Sequence, residues 1–236
     1  MIHFLTPIHG SAPWPSIQRS YIYVYTHPYK LHCTLSNVPE DIDLTGYNVI
    51  DSCNQEEANG NTVVERLNHY ENVEKLIRYA VSSDEIEDDD YVCIIDSDCF
   101  PINNFDPSVI GDNILTIDRS KELTGHNPPK FNYIFLCMKK SVMKEHFDTS
   151  WTDRAAVKFQ ASLPLEKLRT LDRTESIVRG KSIMFGVYGD LIYHHGCGSR
   201  VPFHWQEDGP NRTEEKISKN MSLSEQIMAK LNYMMI

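Results

Sequence analysis

The stretch Tyr91-Val92-Cys93-Ile94-Ile95-Asp96-Ser97-Asp98 sets two carboxylates directly behind an uninterrupted apolar run. A run of strand length without alternation reads as a strand buried on both faces, as in a mostly parallel sheet covered by helices. Carboxylates emerging at the carboxyl end of such a strand fall where open α/β sheets bind their ligands.

The flanking sequence agrees. Residues 2–6 form another apolar run, ended by Pro7 and Gly10, while 30–37 and 47–53 read as two more strands split by the turn-forming stretch 37–46. Segment 14–28 reads as an aromatic-rich helix. Residues 62–81 read as a longer one, because Val63, Val64, Leu67, Tyr70, Val73, Leu76, Ile77 and Ala80 recur at helical spacing. Beyond the central run, 113–117 and 131–138 are strand candidates, and the polar loop 118–130 between them is a candidate lid. Residues 142–147 and 154–171, the latter broken at Pro164, read as helices, and 191–195 as a late strand. Alternating strands and helices predict an α/β fold: a single Rossmann-like α/β/α sandwich with a mostly parallel, mixed central sheet. Residues 1–210 are assigned to that domain. Residues 211–236, with Leu223, Ile227, Leu231 and Met234 at helical spacing, are expected to form a C-terminal helical segment packed on it.

Composition narrows the partners. With 236 residues, 41% of them hydrophobic, the chain can bury roughly 70% of its extended surface on folding and needs no disulfide framework. Lys plus Arg at 23 against Asp plus Glu at 33 gives a net charge of −10, which opposes binding to extended nucleic-acid backbones. An acidic chain can still take a small phosphate ligand through a metal ion, backbone N–H groups or one placed Arg. Six scattered cysteines without a CxxC pair fit reduced thiols. No basic leader precedes an apolar core at residues 1–7, and no stretch reaches 18 apolar residues, so the expectation is a cytoplasmic protein without a membrane span.

Asp-x-Asp occurs three times, at 41–43, 88–90 and 96–98. The first lies in a turn-rich segment and the second in an acidic loop, where solvated charge is the expected role. Only Asp96 and Asp98 follow a buried strand. Two carboxylates held close in a partly buried site repel each other, and a hard divalent cation relieves that cost. Mg²⁺ or Mn²⁺ would use one or two carboxylates and complete its shell with water and phosphate oxygens. The alternative is a strand-end turn in which the Asp side chains bond local N–H groups.

With YVCIIDSDCFPIN at 91–103, the sequence resembles the GT-A fold, nucleotide-sugar-dependent glycosyltransferases, whose DxD motif follows an apolar strand in the same manner. The resemblance implies that Asp96 lies near the donor ribose or a metal-bound water and that Asp98 ligates Mn²⁺ or Mg²⁺ on the donor diphosphate, with Ser97 between them in the donor site. LIYHHGCGSR at 191–200 is similar to the late metal-binding histidine motif of several such families. By that likeness His194 supplies the third protein ligand, Gly196 and Gly198 approach the diphosphate and Arg200 pairs with phosphate. Cys197 stands where the His-Phe-x-Gly pattern of some retaining enzymes has its Gly, so His195 is an alternative ligand. A zinc site from His194, His195, Cys197 and His204 is a further reading, though without standard ligand spacing.

Family placement of the nucleotide over the first strands makes Thr6 and Asp51 candidates for base or ribose contact, against the usual role of strand-end Thr and Asp in turns. Asn68 and His69, on the helix before the DxD, are candidates to face the donor, against an exposed helix face. The implied activity moves a sugar from a nucleoside-diphosphate sugar to a glycan, lipid or protein acceptor hydroxyl. An inverting reaction needs a carboxylate base, for which Asp153 is the first candidate and Asp190 the second; a retaining reaction needs none. Two other classes stay open: a metal-dependent phosphoryl or nucleotidyl transferase, which would use the same Asp pair, and a carbohydrate-binding module stacking sugars on Trp14, Trp151 or Trp205.

Overall fold

The computed structural model describes residues 1–9, 14–53, 62–118, 131–179 and 182–194. Eight residues of apolar β1 (Ile2–His9) lead into α1 (Trp14–Tyr25), and β2 (Tyr29–Ser36) returns parallel to β1. The helix stops three residues short of Pro28, consistent with proline's lack of an N–H and its restriction of the residue before it. Next come β3 (Tyr47–Cys53), α2 (Thr62–Ser82) and β4 (Tyr91–Ile95). The remaining elements are β5 (Cys99–Pro101), β6 (Ile114–Asp118), β7 (Phe131–Lys139), α3 (Lys140–His146), α4 (Ala155–Ser162), β8 (Leu168–Leu171), β9 (Arg173–Arg179), β10 (Ser182–Tyr188) and β11 (Ile192–His194).

Seven strands form the main sheet in the order β3-β2-β1-β4-β7-β6-β8. Among them β7 alone runs against its neighbours, so the sheet is mixed and mostly parallel, as the unalternating runs predict. Along β4 the side chains divide between two cores. Val92 and Ile94 pack with Val73, Leu76, Ile77 and Ala80 of α2, whereas Tyr91, Cys93 and Ile95 pack with Ile22 of α1 and with Tyr188 and Ile192. All five are buried, and hiding side chains of this size contributes about 1.5–3 kcal/mol each. Helices α3 and α4 sit beside α2, and α4 begins where Glu74 Oε2 accepts the Ala155 N–H at 3.0 Å.

A second sheet, β5-β11-β10-β9, is antiparallel throughout. Of it, the sequence patterns gave only β11. Residues 168–171 belong to an edge strand paired with β6, not to a continuation of the helix after Pro164, and α4 ends at Ser162. The acidic loop also departs from expectation at one residue. Asp90 is largely buried and takes the N-terminal ammonium at 2.7 Å and His3 Nε2 at 3.2 Å, so it is a structural ion partner. Asp88 does meet solvent, paired with Lys144, and Asp43 is held by Arg19 in its turn. The 119–130 part of the candidate lid and the 211–236 segment lie outside the described residues.

Candidate functional site

Chain order turns β1 toward β2 on one side and leaves β4 on the other, which opens a crevice beyond the carboxyl ends of β1 and β4. Asp96 is the first residue past β4. Its N–H donates to Ile134 O at 3.0 Å, which extends the β4–β7 ladder one residue, and Cys99 N–H then donates back to Asp96 O at 3.0 Å. This closes a tight turn over Asp96–Cys99. Strand β5 starts within it and pairs antiparallel with β11, His194 standing opposite Cys99. The late histidine reaches the Asp pair through this register, although almost a hundred residues separate them.

Asp96, Asp98 and His194 each present one ligand atom, and these atoms all lie within 4.8 Å of one another. His194 Nε2 is 3.7 Å from Asp98 Oδ1, and both side chains are buried, at 7% and 5% exposure. Asp96 is more open at 22%, and His69 Nε2 approaches its Oδ1 at 3.8 Å. The cluster has a buried floor and a more exposed rim. Its donor set, two carboxylates and an imidazole, suits Mn²⁺ well and Mg²⁺ through the oxygens, and three protein ligands leave positions for water and phosphate oxygens. Burial, with Asp96 and Asp98 adding to it, pushes the Cys99 thiol well above its ordinary range. Tyr193 is raised likewise, by burial first and then by Asp98.

The other candidates divide clearly. His69 comes to the cluster, while Asn68 beside it is half-buried and its carbonyl accepts Asn72 Nδ2. Ser97 is buried within the turn. Thr6 is fully buried, its hydroxyl donating to Gln18 Oε1 at 3.0 Å, so it faces α1 and not an open ligand space. Asp51 is half-exposed and pairs with Lys75 Nζ at 2.6 Å, which holds its carboxyl below the usual range. Neither proposed base is among the clustered ligand residues. Asp153 is exposed in a segment tied to α2 through Glu74 and Arg78, about 8 and 14 Å down the helix axis from His69 at 1.5 Å per residue. Gly189 (φ 59°) and Asp190 (φ 53°) are the central residues of the turn closed by Leu191 N–H donating to Tyr188 O, within the three-residue connection between β10 and β11, whose left-handed backbone Gly and Asp tolerate. That turn is about 13 Å of extended strand from His194. His195, Gly196, Cys197, Gly198, Arg200, His204 and Trp205 lie outside the described residues.

No protein-family model and no curated protein matches the sequence. Solved structures with a related chain path include the galactosyltransferase LgtC in complex with donor and acceptor sugar analogues, at 15% identity and TM-score 0.43, over 69% of this chain and 66% of that one. The mannosyltransferase PcManGT from Pyrobaculum calidifontis, in complex with GDP-Man and Mn²⁺, aligns at 11% identity and TM-score 0.40 over 66% of this chain and 50% of its own. The glycosyltransferase GlyE of Streptococcus pneumoniae TIGR4 aligns at 13% identity and TM-score 0.38 over 72% and 44%. The chain thus spans under two thirds of each of these proteins. Among the described residues no helix is long and apolar enough to cross a membrane.

One residue that motif reading passed over stands behind the turn. Gln18 of α1 is fully buried, and its amide nitrogen donates to Asp96 O and to Cys99 O, both at 2.7 Å. The sequence carries a faint signal for it, a polar side chain placed among Trp14, Tyr21 and Ile22 on the buried side of α1.

Proposed function

We propose that this chain is a glycosyltransferase that uses Mn²⁺ or Mg²⁺ to move a sugar from a nucleoside-diphosphate sugar to an acceptor hydroxyl on a glycan, lipid or protein. The observation that carries this reading is the convergence of Asp96, Asp98 and His194 at the strand-switch crevice. Such a cluster suits an anionic diphosphate only with a cation between them, since carboxylates accept and cannot donate. When bound, the metal would supply Lewis-acid stabilisation of the charge that grows on the departing diphosphate. Asp98 and His194 hold their ligand atoms in a buried floor, where few alternative rotamers compete. Asp96, nearer the rim, is in place to share its carboxylate between the cation and the donor. His69, on the opposite wall, can donate to Asp96 or to a donor oxygen. In this reading Arg200, Gly196 and Gly198 meet the phosphates from the segment after β11. An inverting outcome would need a carboxylate base such as Asp153 or Asp190, neither of which is among the metal-ligand residues, and a retaining outcome requires none.

The test is donor turnover by the whole chain. Purified protein incubated with a panel of nucleotide sugars and Mn²⁺ should release intact nucleoside diphosphate, with the activity lost on chelation and in Asp98→Ala. Release of inorganic phosphate or nucleoside monophosphate would instead assign phosphoryl or nucleotidyl transfer. Mn²⁺ binding by Asp98→Ala at wild-type affinity would remove the central assignment.

A further inference from the structure

Gln18, fully buried, makes four side-chain hydrogen-bond contacts. Its nitrogen donates to the carbonyls of Asp96 and Cys99, and its oxygen accepts from Thr6 Oγ1 at 3.0 Å and from Tyr47 Oη at 2.8 Å. The orientation of the amide is fixed by chemistry. Backbone carbonyls only accept, so the nitrogen must face them, and the oxygen is left to the two hydroxyls. Tyr47 Oη also lies 3.1 Å from Pro15 O, but its single proton serves one acceptor at a time, and the shorter contact is the one to Gln18 Oε1.

The two carbonyls are the two ends of the turn that carries Asp98. Asp96 O already accepts Cys99 N–H, so its second lone pair goes to Gln18, and Cys99 is the residue that pairs His194 into β5–β11. A single side chain therefore fixes the backbone on both sides of Asp98 and the strand that delivers His194. From this geometry we propose that Gln18 is a positioning residue for the metal centre, holding Asp96, Asp98 and His194 at ligand spacing before any cation arrives. Thr6 and Tyr47 serve it as supports. The inference rests on the Asp96–Asp98–His194 reading above.

Its consequence is an affinity effect separate from stability. Outer-shell hydrogen bonds that orient metal ligands are worth about 10–100-fold in metal affinity. Gln18→Met keeps the length and volume of the side chain and removes both donors. Calorimetric titration of the full chain with Mn²⁺ alone should give a dissociation constant at least about tenfold weaker in Gln18→Met than in wild type. Tyr47→Phe, which removes one support and leaves the donors, should weaken Mn²⁺ by about threefold. An amide with a structural role only would lower the melting temperature and leave the affinity of the folded protein unchanged. Wild-type affinity in folded Gln18→Met overturns the inference; if that variant does not fold, unchanged affinity in Tyr47→Phe overturns it. Should wild-type protein bind no Mn²⁺ in an Asp98-dependent manner, the metal reading itself fails, and the role of Gln18 falls with it.

Discussion

Acidification should destabilise this protein well above the pH at which its carboxylates protonate, because of a histidine pair beneath α2. His3 of β1 and His32 of β2 stack at 5.2 Å between ring centroids, with His3 Nδ1 3.0 Å from His32 Nε2. His3 also meets Asp90, while His32 faces Asn48 of β3 and the Tyr79 ring of α2, with Glu85 and Lys30 acting on it at longer range. Both rings are buried, and only one proton can sit between them. Burial first, and then the neighbouring His3, lowers the pKa of His32 from 6.5 to about 4; His3 is lowered too, by burial, with Asp90 opposing. The unfolded chain therefore takes up a proton below pH 6.5 that the folded chain refuses until about pH 4, and stability is lost as the pH falls through that window. For His32 alone the linkage comes to about 2 kcal/mol at pH 5 and about 3 kcal/mol at pH 4. With a urea slope of about 2–3 kcal/mol/M, the midpoint should fall by roughly 0.7–1 M between pH 7 and pH 5. Urea unfolding followed by circular dichroism at the two pH values measures this directly. In His32→Gln the absolute stability will differ, but the pH 7 to pH 5 difference should shrink by most of that amount. An identical pH dependence in wild type and variant would refute the linkage, as would a wild-type midpoint that rises on acidification.

Three further outcomes follow from particular contacts. Glu74→Ala should cost about 1–2 kcal/mol in chemical unfolding, since Ala155 N–H at the start of α4 loses its carboxylate and Arg78 loses its ion partner while keeping its backbone contacts; an unchanged midpoint would remove Glu74 as the cap. Gly186→Ala should destabilise by about 1–3 kcal/mol and weaken Mn²⁺ binding, because the added Cβ would stand 2.9 Å from Arg173 Nη2 and from the Tyr188 ring on the strand position opposite His194; wild-type melting and Mn²⁺ affinity would show that the ring and guanidinium simply move aside. His194→Ala should weaken Mn²⁺ more than His195→Ala does, measured by the same titration, and the reverse order would shift the ligand by one residue.

The sequence by itself determined whatever depends on local pattern. Unbroken apolar runs marked β1 and β4 as buried strands, helical spacing marked α2, and the position of Asp96 and Asp98 behind β4 marked the crevice end of the sheet. His194 was legible as a residue type in a glycine-rich setting, but its meeting with Asp98 was not a property of spacing. Tertiary structure decided that meeting, through a three-residue pairing of β5 with β11 too short to leave a periodic signal. It also decided the surroundings of Asp153 and Asp190, which depend on where α4 docks and on the β10–β11 turn. Gln18 and His69 show the same division from the other side. Each is one polar residue on a helix, and its worth depends on the groups that another part of the chain sets against it. Strand and helix preference acts over neighbouring residues, whereas carbonyl ends and burial are supplied by segments distant in sequence, so the ligand residues could be named by likeness but their spacing and the support from Gln18 needed the closed chain.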